Sequence, residues 1–372
     1  MLDIVKPFSY NTCAGNVSGN VFYLLRMNWK GVACVEIYTI RDIAQKAGVG
    51  VSTVSRVLNG HPDVSEETRK RVMDIVNSCG FVQNDNARFL KRSRTAFAAI
   101  IVRGRRNVFL TGLAEQMLAI AQGSKIPFLI EYIDEADDEF DAMRKLYAER
   151  AARGFIILGS RLDERAETVK KLGVPCVFAT VDAAASGLDN ASSVSIDDRA
   201  ASRAMAQELI SLGHRRIAVF GGCPDGNDPF VWRYRGVLDT LTAHGIAFDS
   251  SQDYVQTRFT LDGAYESAER YFSVPRSVTA VMCMSDTIAA GVIRALKDKG
   301  LCVPQDISVT GFDGTQMARF YIPSIATVRQ PTELIAQESV DLLHSMLDGQ
   351  QAQCLKVGFE LIMGESLASV RT

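Results

Sequence analysis

The sequence predicts an α + α/β protein: a small helix-turn-helix headpiece, then a larger body of doubly wound parallel sheets divided into two lobes. Three observations carry this. Two short apolar stripes of helical period flank Gly48 between Thr39 and Gly60. From Ala96 onward, continuous apolar runs of strand length alternate with helical patterns. Charge is also unevenly spread: residues 37–94 hold 10 Lys+Arg against 6 Asp+Glu, whereas the 372-residue chain carries −2 overall.

The headpiece is expected over residues 37–83. Its first helix begins at Thr39, an N-cap with Asp42 three residues on. Ile40, Ile43, Ala44 and Ala47 make one apolar stripe, and Gly48 allows the left-handed turn that ends it. A second helix runs from about Val51 to Leu58, with Val54, Val57 and Leu58 inward, and Asn59-Gly60 stops it. Its outward face carries Val51, Ser52, Ser55 and Arg56. Two short helices about a tight turn can place the second in a DNA major groove, where Arg reads guanine bidentately. Ser65 caps a third helix with Glu66 and Glu67 in its first turn, and Arg69, Val72, Met73 and Val76 carry it toward Cys79-Gly80. The local excess of positive charge fits phosphate contact confined to this module.

In the body, the strands read as residues 96–102, 127–133, 154–159, 175–181, 216–222, 280–285 and 307–312, with helices such as Thr111 to Ala121, Arg199 to Leu212 and Thr287 to Lys299 between them. Continuous rather than alternating apolar strands imply burial on both faces, hence parallel sheets covered by helices. Two such units place a cleft at the carboxyl ends of their strands.

The wording is more specific than the pattern. AGVGVSTVSRVLNG (47–60) closely resembles the headpiece of LacI-family (LacI/GalR-type) bacterial transcription regulators. The match extends through GFVQNDNARFL (80–90), LGHRRIA (212–218), CMSD (283–286), DISVTGFD (306–313) and IATVRQP (325–331), covering about residues 37–366. The resemblance implies a periplasmic-binding-protein-like body over residues 96–372, joined to the headpiece by a hinge helix or linker at 84–95. It implies a sequence-specific DNA-binding regulator, a repressor, whose operator affinity follows a small-molecule effector held between the lobes.

Residue by residue, it carries major-groove contact to Thr39, Val51, Ser52, Thr53, Ser55, Arg56 and Asn59. It carries minor-groove or hinge contact to Asn84, Ala87, Arg88 and Leu90, the last as an apolar wedge. One departure is Gly50, where the family often has Ser. In the cleft, Arg233 of WRYRG matches a pocket arginine and Asp286 a pocket carboxylate, which together suit a polyol. Phe259 matches a stacking aromatic. The loop Arg103-Gly104-Arg105-Arg106-Asn107-Val108-Phe109 replaces a more typical polar, Pro-containing loop, so Arg103, Arg106, Asn107 and Phe109 join the candidates, the arginines as contacts for a phosphate or carboxylate or as a solvated basic loop. Thr180 stands where relatives frequently have Asp. The implied layout crosses between lobes near Ile196, after Asp313, and around Lys356 to Ile362. His214 falls in a helix–strand loop, where a structural role is expected.

Other classes fit poorly. The chain has no P-loop, nucleophile elbow or metal cluster, and Gly221-Gly222-Cys223-Pro224 lacks the Lys-Ser/Thr of a phosphate-transfer loop. A free-standing solute-binding protein needs an export signal and no headpiece. A regulator answering to a partner protein stays open at this stage. The 8 Cys are scattered, without C-x-x-C, and there are only 4 His, so buried free thiols in a reducing cytoplasm, and no metal or cofactor, are expected. No apolar run reaches the length of a membrane span. Residues 1–36 match nothing in the family and lack the features of a signal peptide. They are expected to be a disordered extension or a misassigned start: Lys30-Gly31-Val32 can be encoded by AAAGGAGT, a ribosome-binding site upstream of a GTG-coded Val35, and Met27 is a second candidate. The expected partners are pseudo-palindromic operator DNA, a sugar or sugar acid or phosphate, and a second copy of the chain, with a tetramer also open.

Overall fold

The computed structural model describes residues 40–58, 63–78, 96–162, 166–224 and 229–370. The expectations for residues 1–36, Thr39, Asn59, Asn84, Ala87, Arg88 and Leu90 lie outside the described residues, as does the side chain of Ser55. The chain forms two compact units, residues 1–93 and 94–372.

In the first unit, helices α1 (Ile40–Ala47), α2 (Val51–Leu58) and α3 (Glu66–Ser78) pack around Ile43, Ala44, Ala47, Val54, Val57, Val72 and Val76. Gly48 adopts φ +67°, and the Val49 amide donates to the Ala44 carbonyl, which closes α1 and turns the chain into α2. Of the expected stripes, Ile43, Ala44, Ala47, Val54 and Val57 are core and Leu58 is half-buried against it, while the side chains of Ile40 and Asp42 lie outside the described residues. Met73 continues α3 as expected and is exposed on it, because Val72 and Val76, four residues apart, already fill the inward face.

The second unit holds two six-stranded sheets. The amino-lobe sheet runs β1 (Phe97–Arg103), β2 (Phe128–Ile133), β3 (Ala152–Leu158), β4 (Cys176–Ala179), β5 (Ala191–Ser195) and β11 (Cys354–Lys356), in spatial order β11-β5-β4-β3-β1-β2, all parallel. Alternate β1 residues serve opposite faces. Ala98, Ile100 and Val102 pack on helices α4 (Val108–Ile120) and α13 (Thr332–Leu347). Phe97, Ala99 and Ile101 meet Phe140, Met143 and Leu146 of α5 (Glu139–Arg150). Each fully buried Ile here contributes about 1.5–3 kcal/mol, which is why the strand is apolar at every position rather than at alternate ones.

The carboxy-lobe sheet has the order β12-β10-β9-β8-β6-β7, built from β6 (Ile217–Gly221), β7 (Tyr254–Gln256), β8 (Ala280–Cys283), β9 (Ser308–Asp313), β10 (Ala326–Arg329) and β12 (Glu360–Ile362). It is parallel except for β12, which runs antiparallel to β10. Helices α7 (Asp198–Ser211), α8 (Pro229–Ala243), α10 (Leu261–Tyr271) and α11 (Asp286–Asp298) flank it.

The chain passes between lobes three times. It leaves β5 through Ile196 into α7, as expected, and returns between Lys356 of β11 and Glu360 of β12, also as expected. The middle crossing differs. It comes not after Asp313 but at Gln330-Pro331, because β10 continues the same sheet beside β9 before α13 joins the other lobe. His214 is structural: its ring nitrogens lie 2.9 Å from Thr279 Oγ1 and 3.0 Å from the Ala368 carbonyl oxygen, and burial lowers its pKa. Cys176 and Cys283 are buried free thiols, but Cys223, Cys302 and Cys354 are exposed, which corrects the expectation for those three. Among the described residues no helix is long and apolar enough to cross a membrane.

Candidate functional site

The carboxyl ends of strands from both sheets border one cleft of about 870 Å³. Its walls are the loops after β1, β2, β3, β4, β6, β7 and β9, the arrangement that doubly wound sheets impose at their switch points. Of the expected ligands, Arg233, Phe259, Asn107, Phe109, Arg103 and Arg106 all line it. Asp286 does not.

Asp286 is fully buried at the start of α11. Its Oδ2 accepts from the Thr315 amide at 2.7 Å and hydroxyl at 2.9 Å, and its Oδ1 from the Thr327 hydroxyl at 2.6 Å. It therefore ties α11 to the loop after β9 and to β10. Gly311 is required beside it, since a Cβ there would collide with Oδ1. Burial raises the Asp286 pKa, against those three donors.

The carboxylate that borders the cleft beside Arg233 is Asp313, at the end of β9. Its backbone has φ +112°, and Thr180, across the cleft after β4, has φ +73°. Two non-glycine residues in sparsely populated conformations at strand ends of one cleft mark it as a site the surrounding fold holds in shape.

Arg233 sits between acids. Its Nε donates to Asp198 Oδ1 at 2.8 Å, its Nη1 to the Met284 carbonyl at 2.7 Å and, more weakly, to Asp313 Oδ1 at 3.4 Å. Its guanidinium carbon lies 3.7 Å over the Phe312 ring centroid, a cation–π contact in a desolvated place. WRYRG places it: Gly236, one turn on, lets α8 press against the Arg199 backbone of α7, where a Cβ would collide. That close approach brings Arg233 to Asp198, the first residue of α7. Asp313 also accepts from Gln330 Nε2 at 3.0 Å. The site arginine is thus bonded to the residue just after the first crossing and, through Asp313, to the residue that makes the second. Near the third, Lys356 Nζ donates to Ser195 Oγ at 3.0 Å and the Ile196 carbonyl at 3.2 Å, and pairs with Asp182 at 3.0 Å.

Asp198 and Asp313 both have raised pKa values, burial being the first cause and Arg233 the main opposing one. For Asp313, Asp286 adds to the upward push. Burial of Asp198 and Asp313 around one cation favours their neutral forms, since low dielectric penalises an uncompensated anion.

The loop after β1 is less available than its sequence implies. Arg103 is buried; its Nε donates to the Gly159 carbonyl at 2.6 Å and its Nη1 to the Glu135 carbonyl at 2.9 Å, and Glu139 lies 3.7 Å away. It braces the ends of β1, β2 and β3 rather than presenting a charge to the cleft. Asn107 caps α4, its Oδ1 accepting from the Phe109 and Leu110 amides at 3.1 and 3.2 Å. Phe109 is buried in the wall. Arg106 is exposed. In the other lobe Phe259 lies 5.4 Å, centroid to centroid, from Phe230, a second cleft aromatic.

Sequence reading missed Asp313, Asp198, Gln330, Phe230 and Arg258. Asp313 and Gln330 stand inside the quoted motifs DISVTGFD and IATVRQP, so the signal was present. Asp198 gave only its nearness to the Ile196 crossing, and Arg258 none.

On α2, Val51, Ser52 and Arg56 are exposed and Thr53 is half-buried. Arg56 reaches Asp63 at 3.0 Å across an exposed pair, an interaction weak enough for DNA to displace. Gly50 precedes the helix, its carbonyl accepting from the Thr53 and Val54 amides at 2.9 and 3.1 Å, with room for a side chain.

Residues 39–84 match the family described as bacterial regulatory proteins, lacI family, and residues 206–367 match a periplasmic binding protein-like domain. The HTH-type transcriptional regulator MalR of Clostridium butyricum is 32% identical over 338 residues, 89% of this chain and 99% of that protein. Catabolite control protein A of Priestia megaterium is 30% identical, over 82% of this chain and 91% of that protein. The solved structure of a transcriptional regulator CelR–cellobiose complex superposes with a TM-score of 0.64 at 27% identity, covering 88% of this chain and 99% of that one. The headpiece, the two sheets and these relatives agree: the chain belongs to the LacI family of bacterial regulatory proteins and is a DNA-binding transcription regulator, not an enzyme.

Proposed function

We propose that this regulator is a repressor whose operator affinity is set by a carbohydrate or sugar derivative bound between the lobes. The observation that carries the reading is Arg233. It lines the cleft and bonds Asp198, while Asp313 beside it bonds Gln330. A ligand hydroxyl that accepts from Arg233 and donates to Asp313 changes the groups that fix the crossings, and so favours one lobe arrangement over another. Phe230 and Phe259 offer apolar faces suited to a sugar ring. The CelR structure holding cellobiose supports the ligand class.

Val51, Ser52, Thr53, Ser55 and Arg56 read base edges in the major groove, with Thr39 and Asn59 at the ends of the motif; Asn84, Ala87, Arg88 and Leu90 act in the hinge. Domain limits follow the expectation: 37–83 headpiece, 84–95 hinge, 96–372 body. The regulator acts in the cytoplasm as a homodimer on a pseudo-palindromic site, since twofold proteins match twofold DNA. Phe320 and Ile322, 73% and 90% exposed, form the apolar surface for a second copy.

A thermal-shift screen of sugars, sugar phosphates, uronates and nucleobases tests the ligand class, because a selective binder stabilises the fold by mass action. Hits are then titrated into a complex with operator DNA selected by the purified protein. Carbohydrates that neither shift melting nor alter DNA affinity, beside nucleobases that do both, would overturn the reading.

A further inference from the structure

We propose that Arg106 of one lobe and Arg258 of the other form an anion clamp across the cleft, so that the effector carries a phosphate or carboxylate. The carbohydrate reading above supplies only the scaffold on which that anion sits.

Seven arginines and four acids line the cleft, in a chain of net charge −2. Most of the arginines are already committed. Arg103 lies on carbonyls beside Glu139, Arg105 is 3.8 Å from Asp134, and Arg161 donates to the Glu135 carbonyl at 3.1 Å. Arg270 donates to Ser267 Oγ at 3.1 Å, and Arg233 is bound to Asp198. Arg106 and Arg258 differ: both are exposed, and among the described residues neither guanidinium has a hydrogen bond or ion pair. Asp134 already faces Arg105, and Asp313 already accepts from Gln330 and Arg233. Glu135 and Glu266 remain as cleft acids whose carboxylates are outside any ion pair among the described residues, and over the whole lining the seven arginines outnumber the four acids by three.

The two arginines come from opposite sheets, Arg106 between β1 and α4 and Arg258 after β7. Like charges on facing walls disfavour approach of the lobes, and an anion between them reverses the sign of that interaction. The guanidinium fork suits phosphate and carboxylate alike, each held by two directed bonds. The end of α4 is not the anion site, since Asn107 Oδ1 occupies the Phe109 and Leu110 amides.

The test uses full-length protein, wild type, Arg106→Gln, Arg258→Gln and the double variant. Melting is measured with inorganic phosphate against chloride at equal ionic strength. Calorimetric titrations then compare hexoses with their 6-phosphates and uronates. Phosphate should raise the wild-type melting temperature and leave the double variant unmoved. A charged sugar should outbind its neutral parent about ten- to a hundredfold. Either single substitution should remove most of that gain while leaving the parent's affinity in place, because a clamp needs both jaws. No phosphate protection, or a charged-sugar preference that survives both substitutions, overturns the clamp whatever the scaffold. Protection through both arginines with no carbohydrate bound upholds the clamp and refutes the carbohydrate reading. Phosphate esters and uronates separate the two anion sources.

Discussion

Arg233→Met removes the guanidinium while keeping an apolar stem over Phe312. Asp198 and Asp313, 8% and 4% exposed, then share a site with no cation, and the Met284 carbonyl loses a donor. Breaking a buried ion pair from one side costs about 3–5 kcal/mol, but here protonation limits the cost. The Asp313 pKa is already pushed up to about 8 by burial and lowered by Arg233; without the arginine it rises further, and that of Asp198 rises with it. The folded protein then holds protons that the unfolded chain, with carboxyls near 3.9, has released, so stability falls as pH rises. In the wild type Asp313 already holds one such proton up to about pH 8. Without the guanidinium the variant keeps its carboxyl protons to higher pH than the wild type does, so its loss of stability grows as pH rises. Urea unfolding followed by circular dichroism should therefore show a loss of about 1 kcal/mol at pH 5, from the unsatisfied carbonyl, rising at pH 8 toward the about 3–5 kcal/mol of a buried pair broken from one side. Adding Asp198→Asn should recover most of the difference at pH 8. A pH-independent loss, or one below about 1 kcal/mol at pH 8, would refute the account of two acids around one buried cation.

Gly236→Ala forces α8 away from the Arg199 backbone, and should cost about 1–3 kcal/mol in urea unfolding and weaken ligand binding through Arg233; an unchanged unfolding midpoint would show that the helices yield freely. Gly50→Ser fits the available space and should stabilise the isolated headpiece by a few tenths of a kcal/mol, roughly the Gly-to-Ser difference at an N-cap, read as a higher melting temperature. Arg56→Ala should cost about 1–3 kcal/mol of operator binding and relax preference at one base pair per half-site; equal weakening on all sequences in a binding-site selection would make it a phosphate contact only. Ile322→Asp should shift the protein to monomer in sedimentation velocity while its circular dichroism is unchanged, and an intact dimer would move the interface elsewhere.

The strands that sequence reading found are the ones buried on both faces, such as β1 over Phe97 to Val102 and β3 over Phe155 to Leu158, where every position carries an apolar side chain. It missed Ala191–Ser195, because ASSVS buries serines whose hydroxyls bond within the fold, as Ser193 Oγ does with the Ala183 amide. It missed Tyr254–Gln256, Ala326–Arg329 and Cys354–Lys356 because three or four residues carry no period. The cleft was found through its motifs, but a motif does not say which of its carboxylates faces the ligand. Asp286 and Asp313 both stand in family wording, and only the tertiary partners Thr315 and Thr327 set Asp286 behind the wall. The same holds for Arg103 and Arg106, three residues apart, one locked onto carbonyls and one exposed.

The three crossings have a consequence for how the protein is made. The amino lobe is not finished when its first five strands leave the ribosome: α13 covers one face of its sheet with Ile335, Ala336, Val340 and Leu343, and β11 pairs with β5. The carboxy lobe likewise receives β12 and the segment to Ala368, whose backbone bonds Ser308 and His214, only at the end. Loss of the chain after Arg329 strips an apolar face from one lobe and an edge from the other. Both lobes therefore complete late in synthesis, and a premature stop between Arg329 and Cys354 leaves no lobe intact to act as a partial repressor or a soluble sugar trap.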